Sequence, residues 1–258
     1  MPNPTRILFV SDEVDPFSKL SETAKLVRTI PEKLQDSGDF EVRIMMPRYG
    51  DISERKNRLH EVIRLSGTEI LMGDRKETLK VKVASIPGIR LQVYFMDSNH
   101  YFKRKGVYTN KQGDAFDDNA ERALFFGRAA LETIRNLGWR PDIVHAFGWM
   151  SGFVPMLLHS DFSADPLFEE AKSVYSPGGI DHRSPISEAF ASMFGLNGAS
   201  KLGAGSPVHV GREYADAVIL SSSAETGGDD AFQFSGTLQE SVDVTRLAYE
   251  QVMSEVAA

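Results

Sequence analysis

The chain opens on a compact apolar run, Arg6-Ile-Leu-Phe-Val10, which reads as a strand buried on both faces. Leu26, Ile30 and Leu34 follow at a spacing of four with Gly38 as a stop, so the pattern predicts a helix there. Glu41 to Pro47 reads as a second strand. Strand, helix and strand within about 40 residues make a βαβ unit, the signature of a parallel sheet. From Arg58 to Asp97 the texture changes. Val62/Ile63/Leu65, Glu69–Met72, Leu79–Val83 and Leu91–Met96 are short β-rich runs broken by Gly67, Gly73-Asp74 and Pro87-Gly88. They predict an antiparallel β insertion around residues 58–97.

The α/β rhythm then returns. Asp117 to Leu137 reads as a long helix with Ala120, Leu124, Ala130, Leu131 and Ile134 turned inward and Gly138 at its end. Asp142 to His145 is a short strand, Trp149 to His159 a helix, and Ser173–Ser176 and Ala217–Leu220 are further strands. Ser221 to Gly236, rich in Ser, Gly, Thr and Asp, reads as a linker. Beyond it, Leu238, Val242, Thr245, Tyr249, Val252 and Val256 form one stripe of a last helix. The division expected is a domain over 1–221, a linker over 222–236 and a C-terminal helix over 237–258. A lone helix of about 20 residues is marginal in water, so its stripe needs a surface to cover. The linker spans about 20–24 Å as a flexible coil, enough to return the helix to its own domain. The rival is a helix pair in a homodimer.

Composition narrows the chemistry. Of 258 residues, 41% are hydrophobic and 25% charged, ordinary for a globular chain. There is no cysteine, which excludes disulfides, thiolate metal sites and cysteine nucleophiles. No stretch approaches the ~18 apolar residues of a membrane span and the first apolar run is too short for a signal peptide, so a cytoplasmic protein with no membrane partner is expected. Nine acids and one base follow Arg212, so the tail carries −8 against a net charge of −7 and the body is nearly neutral. Between Asp51 and Lys111, 13 bases face 7 acids, but they are scattered through strand-like sequence rather than set on one helix face, and no nucleic-acid partner is expected. The six histidines never fall three or four apart, so no helical metal pair exists and no metal or cofactor is expected.

Several segments together resemble the N-terminal half of bacterial glycogen/starch synthases, retaining glucosyltransferases of the GT-B fold. They are Ile7-Leu-Phe-Val-Ser-Asp-Glu-Val-Asp-Pro-Phe-Ser-Lys19, Met46-Pro-Arg-Tyr-Gly50, Val93-Tyr-Phe-Met-Asp97, Asp118-Asn-Ala-Glu-Arg122 with Phe125-Phe126, Gly138-Trp-Arg-Pro-Asp-Ile-Val-His-Ala146 and Glu213-Tyr-Ala-Asp-Ala-Val218. The ordered set covers roughly residues 5 to 225. The resemblance implies a doubly wound, Rossmann-like parallel sheet and transfer of glucose from ADP-glucose to an α-glucan. It also implies a second domain that binds most of the donor, and the chain stops where that domain is expected to begin.

The family's phosphate loop reads Lys-x-Gly-Gly; here it is Lys19-Leu20-Ser21-Glu22. Glycines let backbone N–H groups close on phosphate at a helix N-terminus, and both are replaced. Glu22 is expected to complement the helix dipole in the ligand's place, leaving Lys19 as a surface lysine paired with it. After the strand ending at His145, the family's His-Asp-Trp-His-like turn has become Phe147-Gly148-Trp149-Met150. His145 remains as the nearest catalytic candidate, with a core or supporting role as the plainer reading. Lys19, Tyr108, Asp118, Asn119 and Trp149 are the substrate-binding candidates the resemblance implies. Packing for Trp149, and helix capping by Asp117 or Asp118, are the structural alternatives. Pro177-Gly178-Gly179 reads as a turn. The expectation is therefore a synthase-like domain impaired or inactive alone, with ADP-glucose binding weakened and an α-glucan or maltooligosaccharide as the remaining ligand. The alternatives are a glucan-binding or regulatory module, or a subunit completed by a partner chain.

Overall fold

The computed structural model describes residues 3–178, 185–196, 205–224, 232–234 and 236–254. In chain order the elements are β1 (Thr5–Ser11), α1 (Thr23–Asp36), β2 (Phe40–Pro47), α2 (Glu54–Asn57), β3 (His60–Glu61), β4 (Thr68–Met72), β5 (Arg75–Ser85), β6 (Gln92–Asp97), α3 (Asn119–Leu137), β7 (Ile143–Phe147), α4 (Val154–His159), β8 (Lys172–Ser176), α5 (Glu188–Met193), α6 (Pro207–Tyr214), β9 (Ala217–Leu220), β10 (Phe232–Gln233) and α7 (Leu238–Ser254).

One sheet organises them, in the order β10-β9-β8-β7-β1-β2-β6-β5-β3, with β4 paired to β5. From β10 to β6 every pairing is parallel. β5 then runs antiparallel to β6, and β3 and β4 run antiparallel to β5. The insertion is therefore a β3–β5 extension, and β6 joins it to the main sheet by pairing with both β5 and β2. Val62–Leu65 reads as a strand from its sequence; Ile63–Leu65 instead forms a 3-10 turn. Only Leu65 of that run is deeply buried, so there is no second apolar face for a strand to cover.

The central strand β1 is apolar because helices lie on both of its faces: Ile7, Leu8, Phe9 and Val10 are all fully buried. α3 carries its expected apolar positions inward and ends at Gly138, whose φ of 65° is the left-handed geometry glycine tolerates. The helix expected over Trp149–His159 breaks into a 3-10 turn at Trp149–Ser151 and then α4. Pro155 stands in the first turn of α4, where its missing N–H costs nothing, and Gly152 packs directly on the Pro207 carbonyl.

The terminal helix α7 lies on its own chain. Val242, Thr245, Ala248, Tyr249 and Val252 are buried against α1, β8, β9 and β10, while Leu238 is exposed and Val256 lies outside the described residues. Thr237 caps the helix by accepting the Glu240 N–H, and the Thr237 hydroxyl donates in return to the Glu240 carboxylate at 2.7 Å. Each fully buried apolar side chain of the stripe contributes roughly 1.5–3 kcal/mol. Removing residues 237–258 is therefore expected to lower the melting temperature by at least 5–10 °C and to expose dye-binding apolar surface. Thermal melts of the full and shortened chains check this; equal melting would show α7 to be dispensable.

Candidate functional site

Strand order reverses between β1 and β7: the chain builds outward through β2 and β6 on one side and through β8 and β9 on the other. In an open parallel sheet, ligands bind in the crevice beyond the carboxyl ends of the strands at such a point. Here that edge is formed by residues 12–23 after β1, the Gly148 turn after β7, residues 177–178 after β8 and residues 221–224 after β9.

The loop after β1 folds around Glu13. This buried carboxylate accepts the Leu20 N–H, the Ser21 N–H at 2.9 Å and the Ser21 hydroxyl at 3.0 Å. These two backbone donors are thus taken by a carboxylate from within the chain. Glu22 stands at the N-cap position of α1 without a side-chain cap bond. Its position at the start of α1 is the one expected of it, while Glu13 takes the N–H groups of the loop just before. Lys19 pairs with Asp15 at 2.9 Å rather than with Glu22, one helical turn's spacing back along the chain.

Asp12 is buried beside Glu13. Its Oδ2 accepts the Tyr108 hydroxyl at 2.9 Å and the Met150 N–H at 3.3 Å, and its Oδ1 has no hydrogen-bond partner among the described residues. Burial, and then the charge of Glu13, raise this carboxyl to about 7. Gly148, at φ 79°, passes so close that a Cβ there would collide with the Asp12 carboxylate. The residue type at 148 is therefore tied to the acid at 12.

The structure gathers most of the predicted site residues, but inside the protein. Tyr108 is 5% exposed and Trp149 1%, and the two rings meet edge-on with centroids 5.4 Å apart. Trp149 is thus packed inside the fold against Tyr108. Asn119 is fully buried; its Nδ2 donates to the Tyr108 carbonyl at 2.9 Å and its Oδ1 accepts from Arg122 at 2.7 Å. It pins the turn carrying Tyr108 to α3. Asp118 occupies the N-cap position of α3 but makes no cap bond, because its carboxylate is held by Arg104 through two bonds of 2.8 and 2.6 Å. His145 is wholly buried, with Nδ1 2.7 Å from the Tyr249 hydroxyl and Nε2 2.9 Å from the Ser176 hydroxyl. Burial holds its pKa well below 6.5, so the ring is neutral. It fixes Ser176 rather than facing the crevice.

What does face the crevice is a cavity of about 500 Å³. Among the described residues hydroxyls dominate its polar lining: Ser21, Thr23, Ser176, Ser221 to Ser223, Thr237 and Ser241, with Glu22 and Lys25 as the charged groups. Phe147 and Phe234, stacked at 6.2 Å, supply apolar surface. A second cavity of about 570 Å³ lies between β4 and α5, away from the strand ends, and its Arg128 is already bonded to Asp161, Leu71 and Phe194. Sequence reasoning misses Glu13 and reads Ser221–Ser223 as linker. The available signal is the acid pair Asp12-Glu13 directly after a buried strand. Gly178 lines the cavity at φ 72°, while Gly179 and the linker segment 225–231 lie outside the described residues. Among the described residues no group of three His, Asp or Glu is placed to hold a metal, and no helix is long and apolar enough to cross a membrane.

Comparison with known proteins gives a consistent result. The family model for the starch synthase catalytic domain matches residues 6–225. The glycogen synthase of Chlorobium limicola is 42% identical over 170 residues, covering 66% of this chain and 35% of that protein. The glycogen synthase of Chlorobaculum parvum is 40% identical over 172 residues, with the same two shares. The chain thus spans about a third of the length of these relatives. The catalytic domain of starch synthase IV from Arabidopsis thaliana, solved bound to ADP and acarbose, superposes with a TM-score of 0.71 at 21% identity, over 84% of this chain and 44% of that one. At that identity the match establishes the fold.

The Asp12 environment makes a pH prediction. Unfolded, the carboxyl releases its proton near 3.8; folded, it holds it to about 7. Between those values the native state binds the extra proton, so stability falls as pH rises from about 4 to 7 and then levels. Asp12→Asn removes this loss. Its stability relative to the parent should rise across that window by a few kcal/mol, measured by denaturant melts at pH 4.5, 6 and 8. A constant difference across the three would show that Asp12 titrates normally.

Proposed function

The chain belongs to the starch synthase catalytic domain family, and on that premise we propose that it serves the α-glucan side of glucosyl transfer and does not hold ADP-glucose through its own first loop. The observation that carries this reading is Glu13, whose carboxylate takes the Leu20 and Ser21 N–H groups. Glu22 adds a second anion at the cavity wall. Two unit charges 4 Å apart at an effective dielectric of about 20 interact by ~4 kcal/mol. Even half of that, after screening by the open crevice, weakens a phosphate ligand ~30-fold.

The cavity itself suits a neutral sugar. Its volume lies within the usual ~300–1,000 Å³ of small-molecule sites. Serine and threonine hydroxyls both donate and accept, matching the alternating hydroxyls of a glucosyl unit, and Phe147 and Phe234 offer apolar surface to its C–H face. Without donors at the departing phosphate, glucosyl transfer lacks the electrostatic stabilisation that dominates such catalysis. We therefore read these 258 residues as impaired in transfer by themselves. Lys25 at the cavity favours a second reading, a synthase half whose donor groups come from another polypeptide segment.

Isothermal titration separates the two. Maltoheptaose is expected to bind, with Phe234→Ala weakening it at least tenfold, and ADP-glucose to give no binding heat up to ~1 mM. ADP-glucose binding that saturates and shifts the amide resonances of Leu20 to Thr23 would refute the first reading and establish the second. Absence of both ligands' binding would leave the domain without the glucan role proposed here.

A further inference from the structure

We propose that α7 is an acid-released latch on the carboxyl-edge cavity, held by the buried His145 imidazole between the Tyr249 and Ser176 hydroxyls. The latch itself is read from the packing of α7; its consequence for ligand binding rests on the reading of the cavity as a saccharide site.

Three features of the molecule meet at this ring. The first is its position. His145 sits in the middle of the sheet on β7, and its two nitrogens are committed to hydroxyls on two other elements, Tyr249 of α7 and Ser176 of β8. A neutral imidazole satisfies both by donating through one nitrogen and accepting through the other. The second is the surroundings. From β1 it meets Phe9, from its own strand Phe147, from α7 the Tyr249 ring and from β8 the Ser176 hydroxyl. Among the described residues Tyr249 is the one titratable group facing it, and burial pushes that phenol well above its usual value, so it supplies no negative charge. An imidazolium at this position would have no counter-ion among the described residues. The third is the connection to the cavity. Thr237, Leu238 and Ser241, at the start of α7, form part of its wall together with Phe234, and Ser176 forms part of its floor. The residue that anchors α7 therefore also positions a cavity hydroxyl.

When α7 lifts away, His145 gains water and titrates near the ordinary 6.5. Docked, burial holds its proton affinity far lower. Below pH 6.5 the undocked state binds a proton that the docked state refuses, so docking weakens as pH falls. Each pH unit below that point favours release by up to about tenfold. Release removes one wall of the cavity and leaves the ligand crevice open to solvent.

Hydrogen exchange on the full chain tests the latch without any ligand. After correction for intrinsic exchange, protection of the Ser241–Ser254 amides should fall about 30-fold between pH 8 and pH 5, with a much smaller change in β1 and α3. His145→Gln keeps one donor and one acceptor but cannot titrate, and should flatten the α7 profile. An α7 profile equally acid-sensitive in His145→Gln, or a wild-type α7 that stays protected at pH 5, overturns the proposal. Should that variant fail to fold, an NMR titration of the wild-type imidazole decides alone. A His145 ring that protonates near 6.5 while α7 remains protected sinks the latch; one that stays neutral until α7 loosens supports it. Maltoheptaose affinity plays no part in this experiment, so its outcome is independent of the saccharide reading.

Discussion

Two adjacent carboxylates at the end of a wholly buried central strand must be satisfied inside the protein, and the carboxyl edge is built around that demand. A buried charge is tolerated only where it is hydrogen-bonded, paired or neutralised. Glu13 is met by bending the Leu20–Ser21 backbone over it. Asp12 is met by the Tyr108 hydroxyl and the Met150 N–H, and by keeping its proton to about 7. Each solution recruits further residues. Tyr108 must be held over β1, so Asn119 and Arg122 are buried on α3, bonding the Tyr108 and Val107 carbonyls. The turn after β7 must pass close above Asp12, and there only a glycine leaves room.

This arrangement underlies the ligand proposed for the edge. In a loop whose N–H groups point outward, an anion is the natural guest. Here an internal carboxylate accepts the Leu20 and Ser21 N–H groups, and the described residues facing the crevice offer hydroxyls from Ser21, Thr23, Ser176 and the start of α7 beside the charges of Glu22 and Lys25. The same logic explains why the polar candidates Tyr108 and Asn119 lie inside: they are bonded to the framework that supports Asp12.

The other end of the edge is set by α7. Its stripe covers α1 and the ends of β8 to β10, and its one aromatic hydroxyl meets His145. A histidine that the chain pattern places at a strand end becomes a joint between sheet and helix. At the opposite, amino edge of the sheet, His159 and Asp216 form a different joint: the Asp216 carboxylate accepts from the Ser173 N–H and hydroxyl and lies 3.1 Å from His159, and these bonds lower it to about 2 against the cost of its partial burial. One histidine is sealed away from charge and the other lies against a carboxylate.

Much of the architecture is legible in the residues alone. The buried strands at Ile7–Val10, Glu41–Pro47 and Ala217–Leu220, the helices stopping at Gly38 and Gly138, and the stripe of the last helix all follow from local periodicity, because apolar spacing directly encodes which face is covered. The ordered motifs, from the segment after β1 to Glu213–Val218, likewise point to the family on their own. What periodicity cannot show is partnership across the sequence. Asp12 and Tyr108 are 96 residues apart, His145 and Tyr249 are 104 apart, and nothing local in either pair announces the other. A candidate such as Trp149 or Asn119 reads the same whether it faces ligand or core, since the side chain's chemistry is identical in both settings. Only the tertiary structure decides, by fixing which polar groups are consumed in satisfying buried charge and which remain at the surface of the cavity.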